Sequence, residues 1–128
     1  MSISKEKIEG FANCPVRDIL DRFGDKWSLL ILLTLSGAGS RRFGELSKEL
    51  PDISQKMLTV TLRALEADGL VSRRLYAEIP PRTEYKLTDL GESLIPFING
   101  LLGWAKQNTD TILKTRQIYQ EKTTAIAA

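Results

Sequence analysis

Hydrogen-bond donors line one face of a predicted helix near the middle of the chain. At about 100° per residue, this face presents an amide at its margin, an ammonium, a hydroxyl, a small apolar group and a guanidinium: Gln55, Lys56, Thr59, Val60 and Arg63. No acidic residue interrupts the face before Glu66. Such donors can bind phosphates and the acceptor edges of bases in a major groove. The face therefore predicts a contact with DNA, and the alternative is a solvated polar face on an ordinary core helix.

Both ends of this helix are also encoded in the sequence. Ser54 is a suitable N-cap because its hydroxyl can accept a hydrogen bond from an amide of the first turn. Asp68 suits the C-cap and Gly69 the left-handed residue after it, so that Leu70 can fold back on Leu65 in a Schellman ending. The face opposite the donors is predicted to pack in the core, through Met57, Leu58, Thr61, Leu62 and Leu65.

Composition limits the classes of protein that the chain can form. A length of 128 residues, 42% of them hydrophobic and 27% charged, predicts one globular domain. A net charge of +2 is too small to indicate a nucleic-acid partner by itself. The single cysteine excludes an intramolecular disulfide, and the absence of histidine excludes the usual zinc sites and histidine-dependent catalytic triads. Carboxylates at helical spacing, such as Asp18 with Asp21, are most simply solvated charges, so no enzyme, metal or cofactor is predicted.

No membrane segment is predicted. The N-terminus lacks the apolar core of a signal peptide. The apolar runs are short or are interrupted, for example at Pro96 and Gly100, so none forms a span of ~20 residues. We therefore expect a cytoplasmic protein.

Short elements precede the helix that carries the donors. They are a helix that starts at Cys14-Pro15 and stops at Gly24, an apolar helix over residues 26–36 capped by Asp25, a short edge strand at residues 41–43 and an amphipathic helix over residues 43–50. A turn at residues 51–53 joins the last of these to the donor-bearing helix. Two helices joined in this way predict a helix-turn-helix, although helical hairpins are also common in bundles.

After Leu70 the pattern changes to strand. Residues 71–77 and 83–87 carry β-branched and aromatic residues with partial alternation. Pro80 and Pro81 cannot pair in a ladder, so the tip between the strands should project as a stiff loop. A hairpin after a helix-turn-helix forms a winged helix. Its wing can contact the phosphates and the minor groove beside the inserted helix.

Three arginines are predicted to join the DNA contact from outside the helix: Arg42, Arg73 and, on the wing, Arg82. Arg73 and Arg74 cannot both point outward on a regular strand. We expect one of them to contact phosphate or solvent and the other to pair with an acidic neighbour.

The last predicted helix, capped by Thr88, has more apolar surface than one small domain can cover. No charged residue occurs from Ser93 to Ala105, and Pro96 should bend the helix. A partner subunit, a ligand cavity or burial in the core could cover these residues. We favour a subunit interface because dimeric helix-turn-helix proteins need a two-fold axis. The predicted interface consists of Leu94, Phe97, Ile98, Leu101, Leu102 and Trp104.

Several motifs in fixed order resemble the HxlR family of bacterial winged-helix regulators, which is related in fold to MarR-type proteins. The matching stretches are Cys14-Pro15, Gly24-Asp25-Lys26-Trp27, residues 42–46, residues 53–59, residues 62–70 and residues 80–88. The resemblance covers about residues 14–105. It implies a homodimeric DNA-binding transcription factor whose terminal helices form the dimer. Val60 stands where the family commonly has glutamine, and Thr83 where it commonly has valine, so a borrowed operator sequence would not apply.

Cys14 is the candidate redox sensor. A helix start and Arg17, three residues on, would both favour the thiolate. Some members of the resembled family sense electrophiles or oxidants through a cysteine in this region. The alternative is a small residue that only begins the helix. Because the chain has no second cysteine, any disulfide must join Cys14 of two subunits or join Cys14 to a small thiol.

Together these observations predict a mainly α fold with a small antiparallel β-hairpin, a winged helix-turn-helix dimerised through terminal helices. Residues 1–128 form one domain, with a DNA-binding core at about 14–87 and a dimerisation region at about 88–120. The expected function is that of a sequence-specific, dimeric DNA-binding repressor on a pseudo-palindromic operator. It would respond to a small-molecule or redox signal, with a small molecule or an electrophile as effector. Ser54 to Arg63 would enter the major groove, with half-sites ~34 Å apart. The alternative function is a winged-helix module for protein contact without DNA binding.

Overall fold

The structure, a computed structural model, describes residues 15–127 and therefore leaves Cys14 outside its description. Its elements in chain order are α1 (Pro15–Asp21), α2 (Lys26–Ser36), β1 (Ser40–Arg42), α3 (Phe43–Glu49), α4 (Gln55–Ala67), β2 (Val71–Tyr76), β3 (Arg82–Leu87) and α5 (Asp89–Ala127). The backbone divides into two compact units, one that ends at Ile95 and one that begins at Pro96. Within the described residues, no helix is long and apolar enough to cross a membrane.

The predicted caps of α4 are confirmed. The Ser54 hydroxyl accepts a hydrogen bond from the Met57 amide at 3.0 Å. At the other end Gly69 has a φ of +77°, and the Leu70 amide donates to the Leu65 carbonyl at 3.0 Å, which is the 6→1 bond of a Schellman motif. Both ends of α4 are thus fixed by local hydrogen bonds, and its rotation about its axis is set by packing.

That rotation buries most of the predicted apolar face. Leu58, Leu62 and Leu65 are almost fully buried, and Thr61 is 5% exposed. Met57, which was predicted to join them, is instead 42% exposed. It lies in the first turn at the edge of the apolar stripe, where the core does not reach.

The helix-turn-helix consists of α3, a connection over residues 50–54, and α4. Leu50 and Ile53 are buried in the connection, where the Leu50 amide donates to the Leu46 carbonyl at 3.0 Å. The apolar helix α2 packs against α4 and β3, and its N-cap Asp25 accepts hydrogen bonds from the amides of Trp27 and Ser28. Buried turn residues hold the two helices at a fixed angle, which positions the outer face of α4.

The sheet has three antiparallel strands in the order β1-β3-β2, so the predicted hairpin gains the edge strand that residues 41–43 were expected to form. The strand ends at Arg42, however, and Phe43 begins α3. The Arg42 amide donates to a Glu45 carboxylate oxygen at 2.9 Å, and this hydrogen bond turns the chain directly from strand into helix.

Helix α1 differs from its prediction in length. It ends at Asp21, and single turns with amide bonds from Arg22 to Ile19 and from Phe23 to Leu20 continue to Gly24. The apolar side chains Val16, Ile19 and Leu20 are all exposed. The helix therefore presents an apolar surface that the described chain leaves uncovered.

The start of α5 is joined to the residues that end α4 by two hydrogen bonds and one close approach. The Thr88 hydroxyl donates to the Gly69 carbonyl at 2.5 Å and accepts from the Gly91 amide at 3.1 Å, so Thr88 is the N-cap that the sequence predicted. The Thr88 amide donates to the Leu70 carbonyl at 3.1 Å. A Cβ added to Gly91 would lie 2.2 Å from the Leu70 carbonyl oxygen, so only glycine allows this approach. Pro96 lies inside α5.

Candidate nucleic-acid interface

The outer face of α4 presents most of the predicted DNA-contacting side chains to solvent. Gln55, Lys56 and Arg63 are exposed, and Val60 is 55% exposed. Thr59 is half-buried, and its hydroxyl donates to the Gln55 carbonyl at 2.9 Å. The face can supply an amide, two cations and an apolar contact to a major groove.

Ion pairing separates the basic residues into two groups. Arg22, Arg41, Arg73 and Arg82 each form an ion pair with a described carboxylate. Within residues 15–127, neither Lys56 nor Arg63 has a carboxylate partner within 4.0 Å. A cation that has no carboxylate partner has no ion pair to break when it meets a phosphate. Both cations of α4 therefore differ from these four arginines, because neither must break an ion pair to bind a phosphate.

Arg73 lies on the same side of β2 as the buried Val71, and its side chain is 44% exposed. It pairs with Glu66 of α4, with Nε 3.2 Å from a carboxylate oxygen. Its neighbour Arg74 points to the other side of β2 and stacks over the Tyr76 ring at 4.8 Å. The expectation that one of the two pairs with an acidic residue is confirmed, and Arg73, which was assigned to the DNA contact, is that residue. Burial raises the pKa of the nearby Tyr85 phenol above its ordinary value.

On the wing, Arg82 is held by its own neighbours. Its guanidinium lies 4.0 Å from the centroid of the Tyr76 ring, 3.3 Å from Glu78 and 3.5 Å from Glu84, and its side chain is 24% exposed. The residue opens β3 and does not project from the loop. These contacts hold the guanidinium against β2 and β3, so it does not extend from the wing tip, and its contact with DNA stays a prediction.

Arg42 is exposed at the boundary between β1 and α3. It faces Arg82 across a cleft of about 370 Å³ that the wing forms with the N-terminus of α3. Because the Arg42 amide is held by Glu45, its side chain emerges at a fixed point beside the helix-turn-helix. Its contact with DNA stays a prediction.

One residue that the sequence analysis did not single out connects α4 to the turn after α1. Arg22 donates to both carboxylate oxygens of Asp68, the C-cap of α4, at 2.6 Å and 3.3 Å. The hydrogen bond to Asp68 raises the pKa of Arg22. Since 46 residues separate the partners, no local pattern could have predicted this pair. It fixes the C-terminal end of α4 relative to the N-terminal part of the described chain.

No group of three or more potential metal ligands occurs in the part of the chain that the structure describes. A family model described as HxlR-like helix-turn-helix matches residues 22–113, which include every element from α2 to β3 and most of α5.

The chain belongs to the HxlR-like helix-turn-helix family. A protein of Methanothermobacter thermautotrophicus described as an HTH-type transcriptional regulator is 46% identical over 93 residues, which is 73% of this chain and 70% of that protein. The solved structure of the transcriptional regulator ytfH from Salmonella typhimurium is 38% identical, with a TM-score of 0.74, over 81% of this chain and 92% of that one.

The redox regulator HypR in its reduced form is also similar to this HxlR-like chain. Its structure is 39% identical, with a TM-score of 0.72, over 79% of this chain and 99% of that one. Other similar structures are regulators of the MarR family. This chain is therefore a transcriptional regulator of the helix-turn-helix type with a winged-helix, MarR-like fold.

Most of the side chains predicted for the dimer of this HxlR-like protein are exposed. Phe97 is 75%, Leu101 58%, Leu102 39% and Trp104 57% exposed. Leu94 is half-buried and Ile98 is 5% exposed. Four large apolar side chains are thus exposed within eight residues of one helix, and such a concentration of apolar surface is typical of an interaction site. Ile98 is already buried within the described chain.

Proposed function

We propose that the chain is a dimeric, sequence-specific DNA-binding repressor that inserts α4 into the major groove of each operator half-site. The observation that supports this most directly is the absence of carboxylate partners from Lys56 and Arg63 within the described residues, while four other arginines are paired. The family supplies the wider context, since its members are transcriptional regulators.

Each side chain of the face has a role that follows from its chemistry. Arg63 can donate two hydrogen bonds to O6 and N7 of a guanine, and Gln55 can bind an adenine edge. Lys56 suits a phosphate, and Val60 suits the methyl group of a thymine. Ser54 caps the helix and so holds the first turn, in which Gln55 and Lys56 lie, in place.

Fluorescence anisotropy with DNA from upstream of the protein's own gene tests the proposal. We expect binding that weakens steeply between low and moderate salt, because bound cations displace condensed counterions from the duplex. Random DNA of equal length should bind far more weakly. If the two DNAs bind equally, the binding is not sequence-specific and operator recognition is ruled out for this DNA. If no binding appears at low salt, the alternative function, protein contact without DNA binding, is favoured.

Dimerisation is the second part of the proposal. Phe97 and Trp104 in α5 and the exposed side chains of α1 give each chain apolar surface that a second copy could cover. Replacing Phe97 by glutamate should remove about 1.5–3 kcal/mol of burial per subunit and place a charge in the interface. Sedimentation analysis should show a dimer for the wild type and a monomer for Phe97→Glu at the same concentration. Ile126→Glu, an equally exposed change near the chain end, is the control, and equal dissociation of both variants would contradict this interface.

A redox response through Cys14 is the third part, supported by the similarity to the redox regulator HypR. Two Cys14 thiols would give one intersubunit disulfide, losing two electrons and two protons to an added thiol oxidant. We expect diamide to release the wild-type protein from DNA and a reductant to restore its binding. DNA binding by Cys14→Ser should be unchanged by either reagent. A non-reducing gel should show a band of doubled mass only for the wild type. If Cys14→Ser is released as readily as the wild type, the signal acts elsewhere, for example through a small-molecule effector.

A further inference from the structure

The sheet carries a second cationic surface, on the side that faces away from the core. Because Val71, Tyr85 and Leu87 are buried, the pleat directs the alternate residues of each strand outward. This outer sheet face consists of Ser40 and Arg42 on β1, Arg82, Glu84 and Lys86 on β3, and Ser72, Arg74 and Tyr76 on β2. It holds four cations and one carboxylate.

The single carboxylate does not neutralise the outer sheet face. Glu84 lies between Arg42 and Arg74 in the strand register, but its ion pair is with Arg82, at 3.5 Å. Among residues 15–127, Arg42, Arg74 and Lys86 have no carboxylate within 4.0 Å. Three cations on one small surface, with no ion pair to break, favour an anionic partner.

Hydroxyl groups flank these cations in a regular row. Ser40 and Ser72 are the partners of Lys86 on either side of the central strand. A shallow groove of about 400 Å³ is lined by Ser40, Ser72, Arg74, Tyr76, Glu84 and Lys86. Arginine, lysine and serine are side chains that commonly contact the oxygens of phosphates in DNA.

The composition of the outer sheet face favours DNA over an acidic protein. The centre of a protein interface is depleted in charge and rich in exposed aromatic or apolar groups. Here the one aromatic residue, Tyr76, is half-buried and lies beside the guanidiniums of Arg74 and Arg82. No exposed apolar side chain lies among the eight residues of this face, so a partner would find only charge and hydrogen bonds.

The outer sheet face is also continuous with the helix-turn-helix. Arg42 ends β1 and leads without a gap into α3, the first helix of that motif. Arg82 carries the same face to the wing, where the two arginines line one cleft. Arg42 and Arg82 thus connect the outer sheet face to the helix-turn-helix and to the wing, the two elements that are proposed to bind DNA.

We infer that the outer sheet face binds the sugar-phosphate backbone of the DNA that flanks each half-site, with Arg74 and Lys86 as its principal contacts. This inference rests on the proposed function, because it extends the footprint of the same complex. The contacts carry no base specificity, so they would add affinity and orientation without a sequence requirement in the flanks.

Two duplexes test the inference. A core duplex ends with the two half-sites, and a long duplex adds about one helical turn (~10 base pairs) at each end. The wild type should bind the long duplex more tightly, and scrambling the added sequence should not change that gain. Lys86→Gln and Arg74→Gln should remove the gain and leave binding to the core duplex unchanged. At about 0.9 per phosphate contact, the salt slope on the long duplex should fall by about 1.8 for the two Lys86 side chains of a dimer.

Lys122→Gln on the exposed end of α5 makes the same charge change and should keep the wild-type gain. The inference is overturned if the wild type gains nothing from the flanks, or if Lys86→Gln weakens both duplexes equally. It is also overturned if the variants keep all DNA binding but lose transcriptional control, because the face then binds a protein. If the wild type binds neither duplex, the proposed function itself fails, and this result is distinct from the others.

Discussion

Replacing Arg63 by alanine should weaken operator binding by about 1–3 kcal/mol, a loss of roughly 5- to 150-fold, and should leave binding to random DNA almost unchanged. Arg63 is exposed on the outer face of α4, and no carboxylate of the described residues pairs with it. Its planar guanidinium can therefore align with both acceptors of a guanine. Its removal should relax specificity at that base pair, which binding to operators substituted at single positions would reveal.

Lys56→Ala is the matched comparison, because it removes the other unpaired cation of the same helix face. Its loss should be similar on operator and random DNA, and the salt slope should fall by about 1 for each subunit, as expected for a lysine that contacts phosphate. Anisotropy titrations at several salt concentrations measure both quantities. Arg116→Ala, on the exposed part of α5, controls for the change in net charge. Equal losses on both DNAs for Lys56→Ala and Arg63→Ala would rule out the proposed division of roles.

The parts of this fold that could be predicted from sequence are those set by neighbouring residues. The cap at Ser54, the left-handed Gly69 and the return of Leu70 to Leu65 depend on backbone groups within a few positions of each other. The outward face of α4 followed from helical periodicity, and the wing followed from alternation and its two prolines. Each of these signals lies within one element or one turn.

Pairs between distant residues could not be predicted. Arg73 and Glu66 lie on different elements, and Arg22 and Asp68 are 46 positions apart, so which arginine is paired depends on how the elements pack. Arg82 shows the same limit. Its three neighbours lie within six positions, but only the strand register brings the Tyr76 ring and two carboxylates to one guanidinium.

The candidate site divides along the same line. Sequence could name Lys56 and Arg63, because a face without acidic residues is visible in the chain itself. It could not separate them from Arg73, which carries the same charge but is held by Glu66. The sequence analysis did not single out Lys86 either. Lys86 lies between two serines only because β1 joins the hairpin and places Ser40 beside it, opposite Ser72. Charge is a property of the sequence, whereas availability of charge is a property of the fold.

Gly91→Ala should destabilise the protein by about 1–3 kcal/mol or more, because the new methyl group would lie 2.2 Å from the Leu70 carbonyl oxygen. The same oxygen accepts a hydrogen bond from the Thr88 amide, so it cannot move aside without breaking that bond. At about 4 °C per kcal/mol for a chain of this size, thermal unfolding should begin visibly earlier.

Gly44→Ala is the control, since nothing lies within 4 Å of an added Cβ there, and alanine should be neutral or slightly stabilising in a helix. The position of Gly91 makes its effect more than a matter of stability. Leu70 closes the Schellman ending of α4, so displacing it should tilt the helix that carries Arg63. At a temperature where Gly91→Ala remains folded, we therefore expect weaker operator binding as well. An unchanged melting temperature for Gly91→Ala would contradict the close approach of Gly91 to the Leu70 carbonyl oxygen.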